Sequence, residues 1–270
     1  MKALEQIKQW PVDNASAAVV TDAGELGTYG DQDRVYGLAS VTKLLVAYGV
    51  LIAVEEGAVE FAQPAGPPGS TVRHLLAHAS GLAFGEDRVQ CEPESRRIYS
   101  SAGFEVLADF VEQQTSIPFP DYLHEAVFVP LGMNSSALSG PAGHGAESSV
   151  GDLARFAAEL LQPTLIAPAT FTEATSVQYP GLNGVVPGFG PQRPNDWGLG
   201  FEIRDSKTPH WTGESNSPQT FGHFGQSGTF LWVDPAVSAA CVVLTDRKFG
   251  DWAKAVWPDF SDAVLGEIST

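Results

Sequence analysis

GLASVTKLLVAYGVLIAVEEG, Gly37 to Gly57, is the stretch that decides how this chain is to be read. Ser40 and Lys43 stand three residues apart, and the segment after Lys43 is almost wholly apolar. Its leucines, valines, alanines and Ile52 surround a helical axis and leave no polar face in the middle. A helix that is apolar all round is buried on all sides. Lys43 therefore enters a buried helix, where desolvating an ammonium is costly and a lysine needs a partner. Residues i and i+3 share a helix face, so the Ser40 hydroxyl and the Lys43 amine can meet. Desolvation lowers a lysine pKa, and a neutral amine beside a serine is a base beside a nucleophile. Alone, the pair reads as readily as an N-cap serine and a solvated first-turn lysine.

Composition narrows the classes. The 270 residues are 43% apolar and 10% aromatic, enough for a sizeable core and too much for disorder. A formal charge of -17 repels nucleic acid and anionic membranes, so neither is expected as a partner. Cys91 and Cys241 are the two cysteines, without a C-x-x-C, and no thiolate metal site is suggested. The first residues, MKALEQIKQWPVDN, lack the apolar run of a secretory signal, and no eighteen-residue apolar run offers a membrane span. A cytoplasmic location is the expectation.

Working outward, MKALEQIKQW reads as a short amphipathic helix stopped by Pro11, and residues 15–40 as short strands split by turns. A Pro/Gly linker, FAQPAGPPGST, precedes helical patterns in TVRHLLAHAS, SAGFEVLADFVEQQT, FPDYLHEAVFV and SVGDLARFAAELLQ. Tyr179 to Asn195 reads as an irregular loop bordering the cleft. Strand-like runs return in WGLGFEIRD, TFLWVDP and SAACVVLTD, and a last amphipathic helix is interrupted by Pro258. The order predicts an α+β fold. Residues 1–58 and 190–270 form one antiparallel sheet with flanking terminal helices, residues 59–189 form an inserted helical subdomain, and the site lies at the junction.

Further motifs follow in order: HLLAHASGL from His74, Tyr99-Ser100-Ser101, PLGM from Pro130, SVGDLARF from Ser149, WGLGF from Trp197 and GHFGQSGTFLWVDP from Gly222. As an ordered set over about Tyr36 to Arg247, they resemble the serine β-lactamase/penicillin-binding-protein superfamily. The likeness is strongest to its class C β-lactamase-like branch, which includes esterases and D-amino-acid peptidases. The superfamily's Ser-x-x-Lys corresponds to Ser40 and Lys43, its Tyr-x-Asn to Tyr99 and Ser101, and its Lys-Thr-Gly to His223-Phe224-Gly225.

The resemblance implies Ser40 as nucleophile, with Lys43 and Tyr99 sharing its proton and His223 hydrogen-bonding that cluster or the leaving group. It implies an oxyanion hole from the backbone N–H groups of Ser40 and of Gln226, on the strand after His-x-Gly. Ser101, Gly225 and Arg247 are candidate substrate-binding residues, Gly225 through close backbone approach. His74 and His78, at i and i+4, lack a third ligand nearby, so no metal and no cofactor is expected. Ser101 stands where the family carries Asn, and His223 where it carries a permanently charged Lys. Both changes turn the expectation from β-lactams and D-Ala-D-Ala peptides toward small esters or amides. The alternatives are a β-lactamase, a D-alanyl-D-alanine carboxypeptidase or D-aminopeptidase, and a non-catalytic binding or sensor module. The oligomeric state is not readable.

Overall fold

The computed structural model describes residues 1–268. A 3₁₀ helix, Ala3–Gln9, leads into strands β1 (Ala15–Thr21), β2 (Gly24–Tyr29) and β3 (Val35–Gly37) and then helix α1 (Thr42–Glu55). Helices α2 (Val72–Leu76), α3 (Ala102–Thr115), α4 (Phe119–Leu123) and α5 (Val129–Leu131) follow, the last two joined through a π-helical turn. Strands β4 (Ala137–Leu138) and β5 (Ala146–Ser149) precede α6 (Val150–Leu161) and α7 (Pro168–Ala174). Strands β6 (Gly184–Val186), β7 (Gly190–Gln192), β8 (Glu202–Ile203), β9 (Phe221–Gly225), β10 (Thr229–Asp234) and β11 (Ala239–Thr245) lead to α8 (Asp251–Ile268).

One six-stranded antiparallel sheet, in the order β2-β1-β11-β10-β9-β8, joins the two ends of the chain through the β1–β11 ladder. Its central strands β10 and β11 are covered on both faces and buried at every position rather than alternating with solvent. Along β11 the period of two still sorts the side chains. Cys241 and Val243 join Trp232, Trp257 and Phe260 under α8. Ala240, Val242 and Leu244 join α1 and the other helices on the opposite face.

Helix α1 is buried from Thr42 through Ala53, as a helix without a polar face must be. It packs against α3, α4 and the π turn. Gly198 and Gly200 bring the chain close to helices rather than to another strand. A Cβ on Gly200 would fall 2.1 Å from the Ala47 Cβ on α1, and one on Gly198 2.1 Å from the Ala174 carbonyl oxygen of α7.

Several segments differ from the sequence reading. The N-terminal helix is 3₁₀, and Pro258 sits inside a continuous α8. Helix α6 lies across β1 and β11 and covers the sheet. Tyr179–Asn195 is not irregular: it holds the β6–β7 hairpin, with Gly188 and Gly190 in the left-handed region its turn requires. Arg97 N–H donates to Asn183 O, and a Cβ on Gly184 would fall 2.6 Å from Arg97 O. That glycine lets the hairpin lie against residues 97–99 and form a cleft wall.

Candidate active site

Ser40 lies in a 3₁₀ turn, Ala39–Val41, at the head of α1, and its side chain caps neither helix. The residue before it, Ala39, has φ 46°. An alanine held in the left-handed region costs about 1–2 kcal/mol, and such strain is retained where surrounding structure over-determines it. Here β9 supplies that constraint. A Cβ on Gly225 would meet Leu38 O at 2.4 Å and Ser40 N at 3.1 Å, and Thr229 Oγ1 donates to Leu38 O at 2.9 Å. Gly225 thus lets the strand press against the Ser40 turn.

Lys43 is fully buried. Its Nζ donates to Ser101 Oγ at 3.0 Å and to the Gly143 carbonyl at 2.7 Å, and it lies 4.6 Å from the Tyr99 ring centroid. Burial pulls the ammonium from 10.5 down to about 7, with the Glu105 charge opposing that pull. Glu105 also fixes the Gly143 loop: Ala142 N donates to its Oε2 at 2.9 Å and Gly143 N to its Oε1 at 2.7 Å. A Cβ on Gly143 would fall 2.8 Å from the Ser101 Cβ, so a glycine fits where this carbonyl reaches the amine.

Tyr99 Oη stands 2.9 Å from His223 Nε2, and the Ser40 side chain is within hydrogen-bonding reach of the phenol. Burial raises the Tyr99 pKa; the Ser40 contact opposes this and the Glu202 charge adds to it, so the phenol stays protonated. Burial, then the Lys43 charge, lowers His223 to about 3, against the pull of Glu202, and the imidazole is neutral across the working range. Lys43 is therefore the member of this cluster that titrates near neutrality.

Ser40, Tyr99, His223 and Gln226 line one recess of about 40 Å³, with Phe84, Pro187 and Phe224 completing its wall. Gln226 is in the turn after β9, not on the strand, and is exposed. Ser101 is buried at the head of α3 and holds Lys43. Arg247 does not line this recess: its guanidinium donates to the Pro11 carbonyl and lies over the Trp252 ring.

His74 and His78 serve separate local structure. His74 Nδ1 accepts from Thr71 N at 3.1 Å and its Nε2 faces Glu94 at 2.9 Å. His78 Nδ1 accepts from Ser100 N at 3.1 Å, and burial, then the charge of Lys43, holds it neutral. Among the described residues no group of three or more His, Cys, Asp or Glu is placed to hold a metal.

Sequence reasoning missed Glu105, Gly143, Phe84 and the hairpin wall, since none sits in a recognisable motif. It also missed the network behind β9. There Glu202 receives Lys207 Nζ at 3.1 Å and Trp211 Nε1 at 2.6 Å and lies 3.2 Å from His210 Nε2. Burial alone would raise that carboxyl, and the Lys207 charge, with the His210 hydrogen bond, more than reverses it, holding it ionised.

A Ser/Lys pair at the head of a buried helix, with a Tyr from the helical side and strand β9 of the sheet beside it, is the arrangement of the serine β-lactamase/penicillin-binding-protein superfamily. The chain belongs to the Beta-lactamase family, whose model matches residues 11–264. It is 59% identical to a β-lactamase from Mycobacterium bovis of known crystal structure, with a TM-score of 0.98, covering 99% of this chain and 100% of that one. The fold is shared at 15% identity and a TM-score of 0.81 with EstCE1, a hydrolase with promiscuous acyltransferase activity, over 98% of each chain. Penicillin-binding protein 4* of Bacillus subtilis (strain 168) is 27% identical over 38% of this chain, and the match spans 30% of that protein's length. No described helix is long and apolar enough to cross a membrane.

Proposed function

We propose that the protein is a serine hydrolase that cleaves small esters or amides through an acyl-enzyme on Ser40. The observation that carries this reading is Lys43. A neutral amine has two N–H bonds and one lone pair. Ser101 and Gly143 O accept both N–H bonds, which leaves the lone pair as the open position on an amine whose pKa is about 7. Ser40 Oγ attacks the substrate carbonyl carbon while its proton passes to Lys43. The carbonyl oxygen becomes the oxyanion, received by the N–H groups of Ser40 and Gln226. As the tetrahedral adduct collapses, the C–O or C–N bond breaks. The Lys43 proton returns to the leaving group by way of the Tyr99 hydroxyl, which His223 orients. Water then repeats the sequence on the acyl group and frees Ser40.

Ser40→Ala abolishes turnover of p-nitrophenyl acetate and butyrate if this is right, and wild-type rates in that variant contradict it. Hydrolysis of β-lactams is the second reading, favoured by the 59% identity to the M. bovis β-lactamase. It takes first place if nitrocefin is hydrolysed faster than either ester.

A further inference from the structure

Beside the recess at Ser40 lies a larger groove of about 300 Å³, which shares Phe84, Tyr99 and Pro187 with it. Its apolar wall is Phe84, Ile98, Val185 and Pro187, and Gln90 and Arg96 stand on its rim. Phe84 and Val185 are 59% and 54% exposed, the two most exposed large apolar side chains among the described residues. Exposed apolar side chains gathered on one concavity mark a surface made to be covered.

Charge marks the same groove. Arg96 is exposed, donates to Gln90 at 3.1 Å, and has no carboxylate partner among the described residues. Arg97, also in the wall, is buried, and its guanidinium is satisfied by the carbonyls of Ala77, Gln178, Tyr179 and Asn195 rather than by a contacting acid. The Asp196 charge acts on Arg97, which leaves Arg96 as the exposed cation without a carboxylate in contact on a chain of charge -17, and a charge beside a low-dielectric wall acts at longer range.

We infer that the substrate carries, on one side of the bond cleaved at Ser40, an apolar chain that ends in a carboxylate. The chain lies on Phe84 and Val185, and the carboxylate meets Arg96. This rests on the hydrolase reading above and adds the substrate class.

The test compares p-nitrophenyl octanoate with the mono-p-nitrophenyl ester of suberic acid, and octyl acetate with 8-acetoxyoctanoate. The two pairs place the acid on the acyl side and the alcohol side in turn. In one pair the wild type favours the acid-ended ester at least about fivefold in kcat/KM, in line with a partly exposed charge-assisted pair. Arg96→Gln removes that preference and leaves p-nitrophenyl acetate hydrolysis within about twofold of wild type. No preference in either pair, or one that survives Arg96→Gln, overturns the inference. Binding separates this from failure of the hydrolase reading. By calorimetry, the Ser40→Ala protein takes up the monomethyl ester of suberic acid, and Ser40→Ala/Arg96→Gln binds it more weakly. Equal binding by the two overturns the groove assignment whether or not the protein turns over esters.

Discussion

Lowering the pH from 8 to 6 perturbs the proposed base without touching the sequence, and the structure sets the size of the response. Lys43 titrates at about 7 because it is buried. Its neutral fraction therefore falls from about nine-tenths at pH 8 to about one-tenth at pH 6, and kcat/KM for p-nitrophenyl butyrate falls about tenfold. Below that range the decline approaches one decade per pH unit. The groups in contact do not produce this limb: Tyr99 is raised and remains protonated, and His223 at about 3 is already neutral. Glu105→Gln tests the cause. Its charge raises the Lys43 pKa, so its loss moves the midpoint of the limb below that of wild type. The assay is initial-rate kinetics at constant ionic strength, with the Ser40→Ala rate subtracted. A limb centred near the ordinary lysine value of about 10, or a midpoint that rises in Glu105→Gln, refutes the assignment of Lys43 as base.

Other outcomes follow from particular contacts. A folded-state pKa below the unfolded value makes a buried lysine a stability cost that is complete below about pH 7 and vanishes as pH rises toward 10.5. Lys43→Met therefore loses activity but melts about 2 °C or more higher than wild type at pH 6, and a lower Tm there contradicts the desolvation argument. Gly225→Ala places a methyl against Leu38 O. It lowers both Tm and kcat, and unchanged kinetics show that the strand does not constrain the Ser40 turn. Arg247→Ala keeps kcat/KM within about twofold, since the guanidinium serves Pro11; a larger loss returns Arg247 to the site. Glu202→Gln leaves Lys207 buried without its countercharge and costs about 3–5 kcal/mol in denaturant unfolding, against little change if the network is dispensable.

How much of this was legible depended on how local the signal was. Ser40, Lys43 and the buried α1 could be read because period and apolarity within one stretch carry them. The shared sheet followed from strand-like runs at both ends of the chain. The Tyr179–Asn195 segment hid its hairpin because Gly and Pro also suit irregular loops, and the β6–β7 pairing is held by contact with Arg97, far off in sequence. The burial that raises the Tyr99 pKa was not legible, because it depends on segments distant in sequence. Glu105 acts through a loop 37 and 38 residues away, and a sequence shows no such separation. The contacts of Arg247 with Pro11 and Trp252 were not legible, because a strand end gives a side chain's address but not its direction.

The most direct measurement is the mass of the protein quenched in acid during turnover of p-nitrophenyl acetate, followed by mapping of the modified peptide. One acetyl group is expected on Ser40 in wild type and none in Ser40→Ala. An unmodified wild-type chain that is nevertheless turning over ester, or an acetyl group on another residue with Ser40 intact, contradicts it.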